Sequence, residues 1–249
     1  MTLAGALTLG TVAWLAKGSD ARPASAGAAT RAGPPLALFT SLPLYWGDAH
    51  DVGSMLGGKA EPHWARAAIE QERRLRPLDT LEGDALDGSR DLLIVQPRPL
   101  SPQENVALDA WVGRGGRVLL FADPALTEDS AFAIGDPRRH QDVVLLSPIL
   151  ARWGLALEFD EAQPLGERPV RLTAGVALPV NLPGEFALRR GGRSDARCRT
   201  ERRALVVACA VGKGRVLAVA DAALFETAEE APARRRDALA ALLARAFAR

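Results

Sequence analysis

The sequence predicts an α/β fold, Rossmann-like, in which helices flank a mostly parallel sheet and antiparallel strands lie near the C-terminal end. Three observations lead to it. Residues Asp91 to Pro124, DLLIVQPRPLSPQENVALDAWVGRGGRVLLFADP, read as a buried strand, an amphipathic helix and a second buried strand, one right-handed βαβ unit. A strand-then-helix pattern precedes that unit. Two apolar runs joined by Gly212-Lys213-Gly214 make a hairpin near the end of the chain. A length of 249 residues accommodates one such domain and a tail.

Taken in order, Leu3 to Ala16 is a nearly uncharged run, shorter than the ~20 residues that span a bilayer. It has the length of a signal-peptide apolar region, and Ala24-Ser25-Ala26 has the small residues of a cleavage site, although Lys17 and Arg22 follow the run instead of preceding it. Residues 1–17 are therefore expected to be a signal or membrane-anchor segment. The domain would then sit in the cell envelope, periplasmic or anchored to the inner membrane. Residues 18–35, rich in Ala, Gly, Ser and Pro, form a flexible linker, and residues 36–249 form the domain.

LALFTSL is the first strand and enters the loop PLYWGDAHDVGSMLGG. Glu61 to Leu75 has helical spacing, with Trp64, Ala68, Ile69 and Leu75 offered to a buried face, and Arg76–Leu78 is a short second strand. In the βαβ unit, Leu92–Val95 and Val118–Phe121 are continuous apolar runs, as in strands covered on both faces. Ser101 is the N-cap, Pro102 the first helical residue and Glu104 the capping-box partner. Val106, Leu108, Ala110, Trp111 and Val112 supply the apolar face, and Gly113, Gly115 and Gly116 turn the chain into the next strand.

Ala125 to Gln141 is a long polar loop. Leu146-Ser147-Pro148 opens a capped helix that runs to Gly154, and LALEF is the strand beyond it. Arg168 to Leu188, broken by Pro169, Pro179 and Pro183, forms short antiparallel strands or an inserted subdomain. Ala204–Ala210 and Arg215–Ala220 are strands, and Pro232 to Ala248 is an amphipathic helix.

Three segments together resemble a family. PLSPQENVALDAWVGRGGRVLLFADP is similar to the helix-then-strand segment of class I glutamine-amidotransferase-like domains. LLSPILARWGLALEFD and GKGRVLAVADAALF resemble elements of the auxiliary domain of gliding-motility-type ABC transport systems. The resemblance implies a non-catalytic accessory domain tethered at the inner membrane, with membrane transporter subunits as partners.

The residues also bear on chemistry directly. An amidotransferase needs a Cys on a sharp strand-to-helix turn with a downstream His and Glu. Neither Cys198 nor Cys209 lies in such a turn, and His50, His63 and His140 all precede both. No amidotransferase catalysis is expected. Gly113-Arg114-Gly115-Gly116 lies between helix and strand, the reverse of a dinucleotide fingerprint, and Gly212-Lys213-Gly214-Arg215 lacks the Ser/Thr of a phosphate loop. No cofactor and no metal are expected. A net charge of +1, one Tyr and seven Phe argue against a nucleic-acid partner. The arginine-rich stretches 189–203 and 234–236 read as solvated faces or as anionic-lipid surfaces.

In open α/β sheets, ligands bind at the carboxyl ends of the parallel strands. That rule puts Trp46, Asp48, His50, Asp51, Gln96, Arg98 and Asp123 along one ligand or partner edge, and Asp221 also ends a strand. The structural alternative is that these aspartates cap turns. Cys198 and Cys209 are symmetric about Arg203-Ala204, so a hairpin turning there sets them opposite each other for a disulfide. Otherwise Cys209 is a small core residue and Cys198 lies free on a loop. Three functions follow as expectations: an envelope accessory domain; a hydrolase acting through Asp48, His50 and Asp123; or a carbohydrate-binding module contacting its ligand through Trp46 and Arg98.

Overall fold

Hydrogen bonding in the computed structural model, which describes residues 33–46, 63–130, 132–172, 175–226 and 232–248, orders seven strands into one sheet. The N-terminal segment and nearly all of the linker lie outside the described residues, as do Asp48, His50 and Asp51. Five strands are parallel: β1 (Pro35–Thr40), β2 (Arg74–Pro77), β3 (Asp91–Val95), β4 (Arg117–Phe121) and β11 (Gly214–Val219). β10 (Val206–Val211) and β9 (Ala196–Glu201) continue the sheet antiparallel. The order is β2-β1-β3-β4-β11-β10-β9, with the strand order reversing between β1 and β3.

The helices follow from that order. α1 (Trp64–Glu70) links β1 to β2 in one direction, and α2 (Pro102–Gly113) links β3 to β4 in the other. Right-handed crossovers of opposite direction place these helices on opposite faces of the sheet. α4 (Pro232–Phe247) packs beside α1 on β4 and β11, and α3 (Ser147–Arg152) packs beside α2. Ala238, Leu239, Leu242 and Ala246 recur at helical spacing along α4 and are all buried. Each buried leucine there contributes about 2 kcal/mol. β5 (Leu155–Glu158) pairs with β8 (Glu185–Leu188), and β6 (Arg168–Arg171) pairs with β7 (Ala177–Val180). Both pairs are antiparallel and lie outside the large sheet.

The βαβ unit is as expected. All five residues of β3 are buried, and the Ser101–Glu104 capping box is fully formed, with Ser101 Oγ accepting from the Glu104 amide at 3.0 Å and Glu104 Oε2 accepting from the Ser101 amide at 2.9 Å. Three details differ. Leu75 belongs to β2, opposite Leu36, and is no part of the preceding helix. Leu75 lies six positions after Ile69, out of helical phase with it, but seven after Ala68, in phase with it, so the helical pattern alone does not place it. Val106 is 71% exposed, because the buried face of α2 runs through Glu104, Leu108, Trp111 and Val112 and leaves Val106 on the other side. Ser147 is the first residue of α3 and makes no side-chain cap. Pro148 alone marks that start.

β9 and β10 pair with Cys198 opposite Cys209, and a disulfide joins them across Cα atoms 4.0 Å apart. The connecting turn holds Arg202, Arg203 and Ala204 at φ 50°, 54° and 62°, three consecutive left-handed residues that are not glycine. That conformation costs roughly 1–2 kcal/mol per residue. The Ala204 carbonyl accepts from the Phe186 amide at 2.8 Å, which ties the turn to β8. Replacing both cysteines by alanine is expected to lower stability by about 2–3 kcal/mol in urea unfolding, as for a short cross-linked loop. A thiol titration checks the bond: none should react before reduction and two after it, and two reactive thiols before reduction would contradict it.

Candidate functional site

Register brings the carboxyl ends of the central strands level. Thr40 pairs with Val95, Val95 with Phe121, and Phe121 with Val219. The residues just beyond are Ser41, Gln96, the pair Ala122-Asp123 and the pair Ala220-Asp221. This is where a doubly wound sheet opens a ligand crevice, above all between β1 and β3 where the order reverses.

Here that opening is bridged. Ser41 donates its hydroxyl to the Gln96 carbonyl, its amide donates to the same oxygen at 3.2 Å, and its Oγ accepts from the Gln141 amide at 3.1 Å. Gln96 has φ 39°, a left-handed conformation unusual for a residue other than glycine. Its side chain is wholly buried. Nε2 donates to the Asp123 carbonyl at 3.0 Å and to the Gln141 carbonyl at 2.9 Å, and Oε1 accepts from the Asp123 amide at 2.9 Å. Backbone strain of this kind persists only where surrounding bonds fix it, as these do.

The two strand-end aspartates continue the lacing. Asp123, 0% exposed, accepts from the amides of Ala125 and Ala222, both at 2.8 Å, and so ties the exit of β4 to that of β11. Asp221, 1% exposed, accepts from Ala223 at 2.8 Å and Asn181 at 2.9 Å, tying β11 to the β7–β8 segment. Asn181 Nδ2 donates to Thr127 Oγ1 at 2.7 Å, and Thr127 Oγ1 donates to Glu226 Oε1 at 2.6 Å. Sequence reasoning identified Asp123 and Asp221 as strand-end residues. It missed Thr127, Asn181 and Glu226, which lie in loops with no periodic signal.

Burial dominates the electrostatics of this cluster. It pushes the Asp123 carboxyl up to about 7, against the two amides it accepts from, and the charge of Glu226 adds to the rise. Burial, then the charge of Asp123, raises Asp221 well above the usual carboxylate range. Glu226 is raised by burial, with the Thr127 bonds opposing. Burial and their mutual repulsion both disfavour ionising the two carboxyls together. A carboxyl neutral at pH 7 has the protonation state of a general acid. A general acid must also come within hydrogen-bond reach of its substrate, and here every oxygen of Asp123 and Asp221 is engaged with backbone and closed off from solvent.

The other expected site residues are not assembled with these. Arg98 is half-exposed, but Nη1 and Nη2 each bond Glu104 at 2.8 Å and also bond the carbonyls of Pro99 (3.0 Å) and Asp79 (2.8 Å), while the guanidinium lies 5.1 Å from the Phe39 ring centre. Trp46 is 76% exposed and meets Tyr45 edge-on at 4.8 Å. His63 caps α1, its Nδ1 accepting from the Ala65 amide at 3.2 Å, and its Nε2 lies 3.1 Å from the Phe225 carbonyl. His140 is buried with Nε2 3.1 Å from the Glu128 carbonyl. Among the described residues, no group of three His, Cys, Asp or Glu side chains is arranged to hold a metal ion.

Comparisons with known proteins agree with this architecture. A family model described as "Domain of unknown function (DUF4350)" matches residues 56–243. No curated protein matches the sequence. Among solved structures, a catalytic mutant of Gan42B, a GH42 β-galactosidase from G. stearothermophilus, is similar with a TM-score of 0.50 at 14% identity, over 87% of this chain and 30% of that one. A β-galactosidase from Bacillus circulans sp. alkalophilus gives 0.49 at 11% identity, over 86% and 31%. A putative ThuA-like protein from Bacteroides uniformis gives 0.46 at 10% identity, over 87% and 94%. The chain spans about a third of the galactosidase chains it aligns with, and at 14% identity the likeness to the Gan42B structure is one of fold alone.

Proposed function

This chain belongs to the family described as Domain of unknown function (DUF4350), and from that premise we propose that it is a non-catalytic accessory domain of the cell envelope that binds a subunit of an ABC-type transport system. The observation that carries this reading is the lacing of the strand edge. Ser41, Gln96, Asp123 and Asp221, the polar groups a ligand crevice would present, are all bonded to backbone, and Gln96, Asp123 and Asp221 are buried. A hydrolase acting through Asp123 would need that carboxyl in contact with substrate. A carbohydrate site on Arg98 would need the donors that Glu104, Asp79 and Pro99 already occupy.

Two further observations support the location and the partner. A disulfide between Cys198 and Cys209 suits an oxidising compartment outside the cytoplasm. The segments LLSPILARWGLALEFD and GKGRVLAVADAALF, which resemble elements of the transport-system auxiliary domain, form the α3–β5 and β11 units.

The test is crosslinking in intact envelopes from cells expressing the tagged full chain, with captured proteins identified by mass spectrometry. Capture of an ABC-type permease or ATPase is the expected result. A chain that captures no transporter subunit and instead hydrolyses a glycoside or ester would overturn the proposal.

A further inference from the structure

The opposite end of the sheet carries a pocket of about 710 Å³ in which five cations, Arg73, Arg90, Arg117, Lys213 and Arg215, face one carboxylate, Asp91, above the ring of Phe247. Strand register builds it: Asp91, Arg117 and Arg215 pair across β3, β4 and β11 as one row at the amino ends of these strands. Asp91 is 3% exposed and engages two of the cations, Arg73 Nη1 at 2.6 Å and Arg117 Nε at 2.6 Å. Arg117 Nη1 also donates to the carbonyls of Phe247 at 2.9 Å and Ala248 at 3.0 Å, at the carboxyl end of α4. Those two guanidiniums thus have their counter-charge within the fold.

The other three do not. Among the described residues, no carboxylate pairs with Arg90, Lys213 or Arg215, and the Nε of Arg215 is buried without an acceptor. Arg90 immediately precedes β3, while Lys213 in the β10–β11 turn and Arg215, the second residue of β11, come from the hairpin, so two distant segments bring them to one volume. Like charges held together repel unless an anion joins them, and a buried N–H without a partner is the mark of an unfilled acceptor position.

We propose that this pocket binds a phosphate-bearing ligand. A carboxylate satisfies one guanidinium fork. A phosphate group has more negative charge and oxygens on several sides, which suits three unmatched cations arriving from different directions. The volume is within the range of small-ligand sites and exceeds what a single ion needs. The same chemistry is offered by a free phosphate compound and by an anionic lipid headgroup.

Two arms separate these sources, both with the full chain. One titrates inorganic phosphate by calorimetry. The other floats the protein with vesicles of phosphatidylcholine, alone or with about 30 mol% phosphatidylglycerol. Saturable binding in the first arm identifies a free-phosphate site, and binding only to phosphatidylglycerol vesicles in the second identifies a headgroup site. In either case the triple variant Arg90→Ala/Lys213→Ala/Arg215→Ala is expected to bind at least about tenfold more weakly. Arg199→Ala/Arg203→Ala, on the basic β9 hairpin, is expected to bind as the parent does. Should the triple variant not fold, Arg90→Ala and Lys213→Ala, both at exposed residues, carry the comparison. Absence of binding in both arms, or unchanged binding by the folded variants, overturns the proposal.

Discussion

Raising the pH from 5 to 8 should destabilise the protein by about 3 kcal/mol, read as a falling urea midpoint. The cause is Asp123, whose carboxyl is held at about 7 in the fold, while its ordinary value is 3.8. A group with a raised folded pKa contributes stability that is fully present below its unfolded pKa and is lost as the pH passes its folded one. At about 1.4 kcal/mol per unit, the roughly two units between pH 5 and the folded value of about 7 set the magnitude. Asp221, raised in the same direction by burial and by its neighbour, extends the loss to higher pH. Asp123→Asn carries no charge at any pH and should flatten the slope between pH 5 and 8. Because an amide nitrogen cannot accept, it also loses one of the bonds from Ala125 or Ala222 and starts from a lower plateau. A midpoint that is level or rising from pH 5 to 8 in the parent protein would refute the assignment.

Glu104→Ala should cost about 3 kcal/mol or more. Glu104 is 1% exposed and accepts five bonds, from Arg98 Nη1 and Nη2, the amides of Ser101 and Leu81, and Thr80 Oγ1. Burial alone would raise its carboxyl, but the bonds from Arg98, Ser101 and Leu81 outweigh burial and hold it down at about 2. Arg98, half-exposed, can turn to water when the carboxylate is removed. The buried Leu81 amide cannot, and an orphaned buried donor costs about 1–3 kcal/mol on top of the lost cap. The sign of the pH dependence is the reverse of that for Asp123. A depressed pKa gives stability that is present above the unfolded value and lost as the pH falls through about 2, so the parent should also weaken in acid. Glu104→Gln keeps the shape, turns a donor toward either Ser101 or Arg98, and should fall between alanine and the parent in chemical denaturation.

Much of the fold was legible in the sequence because its signals are local. The Ser101-Pro102-Glu104 start, the glycines after α2, and the continuous apolar runs of β3 and β4 each state an element within a few residues. The β10–β11 hairpin was equally plain at Gly212, where φ is 57° and a Cβ would lie 2.8 Å from the Gly113 carbonyl. Leu75 misled because one apolar residue fits either period when only a short stretch surrounds it. The site was harder to read. Gln96 and Asp123 were identified as strand-end residues, and their position in the chain gives no sign that their polar atoms turn inward. That outcome depends on Gln141, Asn181 and Ala222, brought in from distant segments. The unmatched cations at the other end of the sheet were invisible for the same reason: Arg90 is far in sequence from Lys213 and Arg215, and they come together only once the register of β3, β4 and β11 is set.

We propose that the strand edge serves the fold while the domain acts by binding a transporter subunit. The most direct test is the yield of envelope crosslinks from the full chain compared with Asp123→Asn, at pH 6, where both are expected to be folded. The same ABC-type transporter subunit should be captured by both at equal yield. A folded Asp123→Asn protein that loses the crosslink would contradict it, because Asp123 would then belong to the working surface and not to the scaffold beneath it.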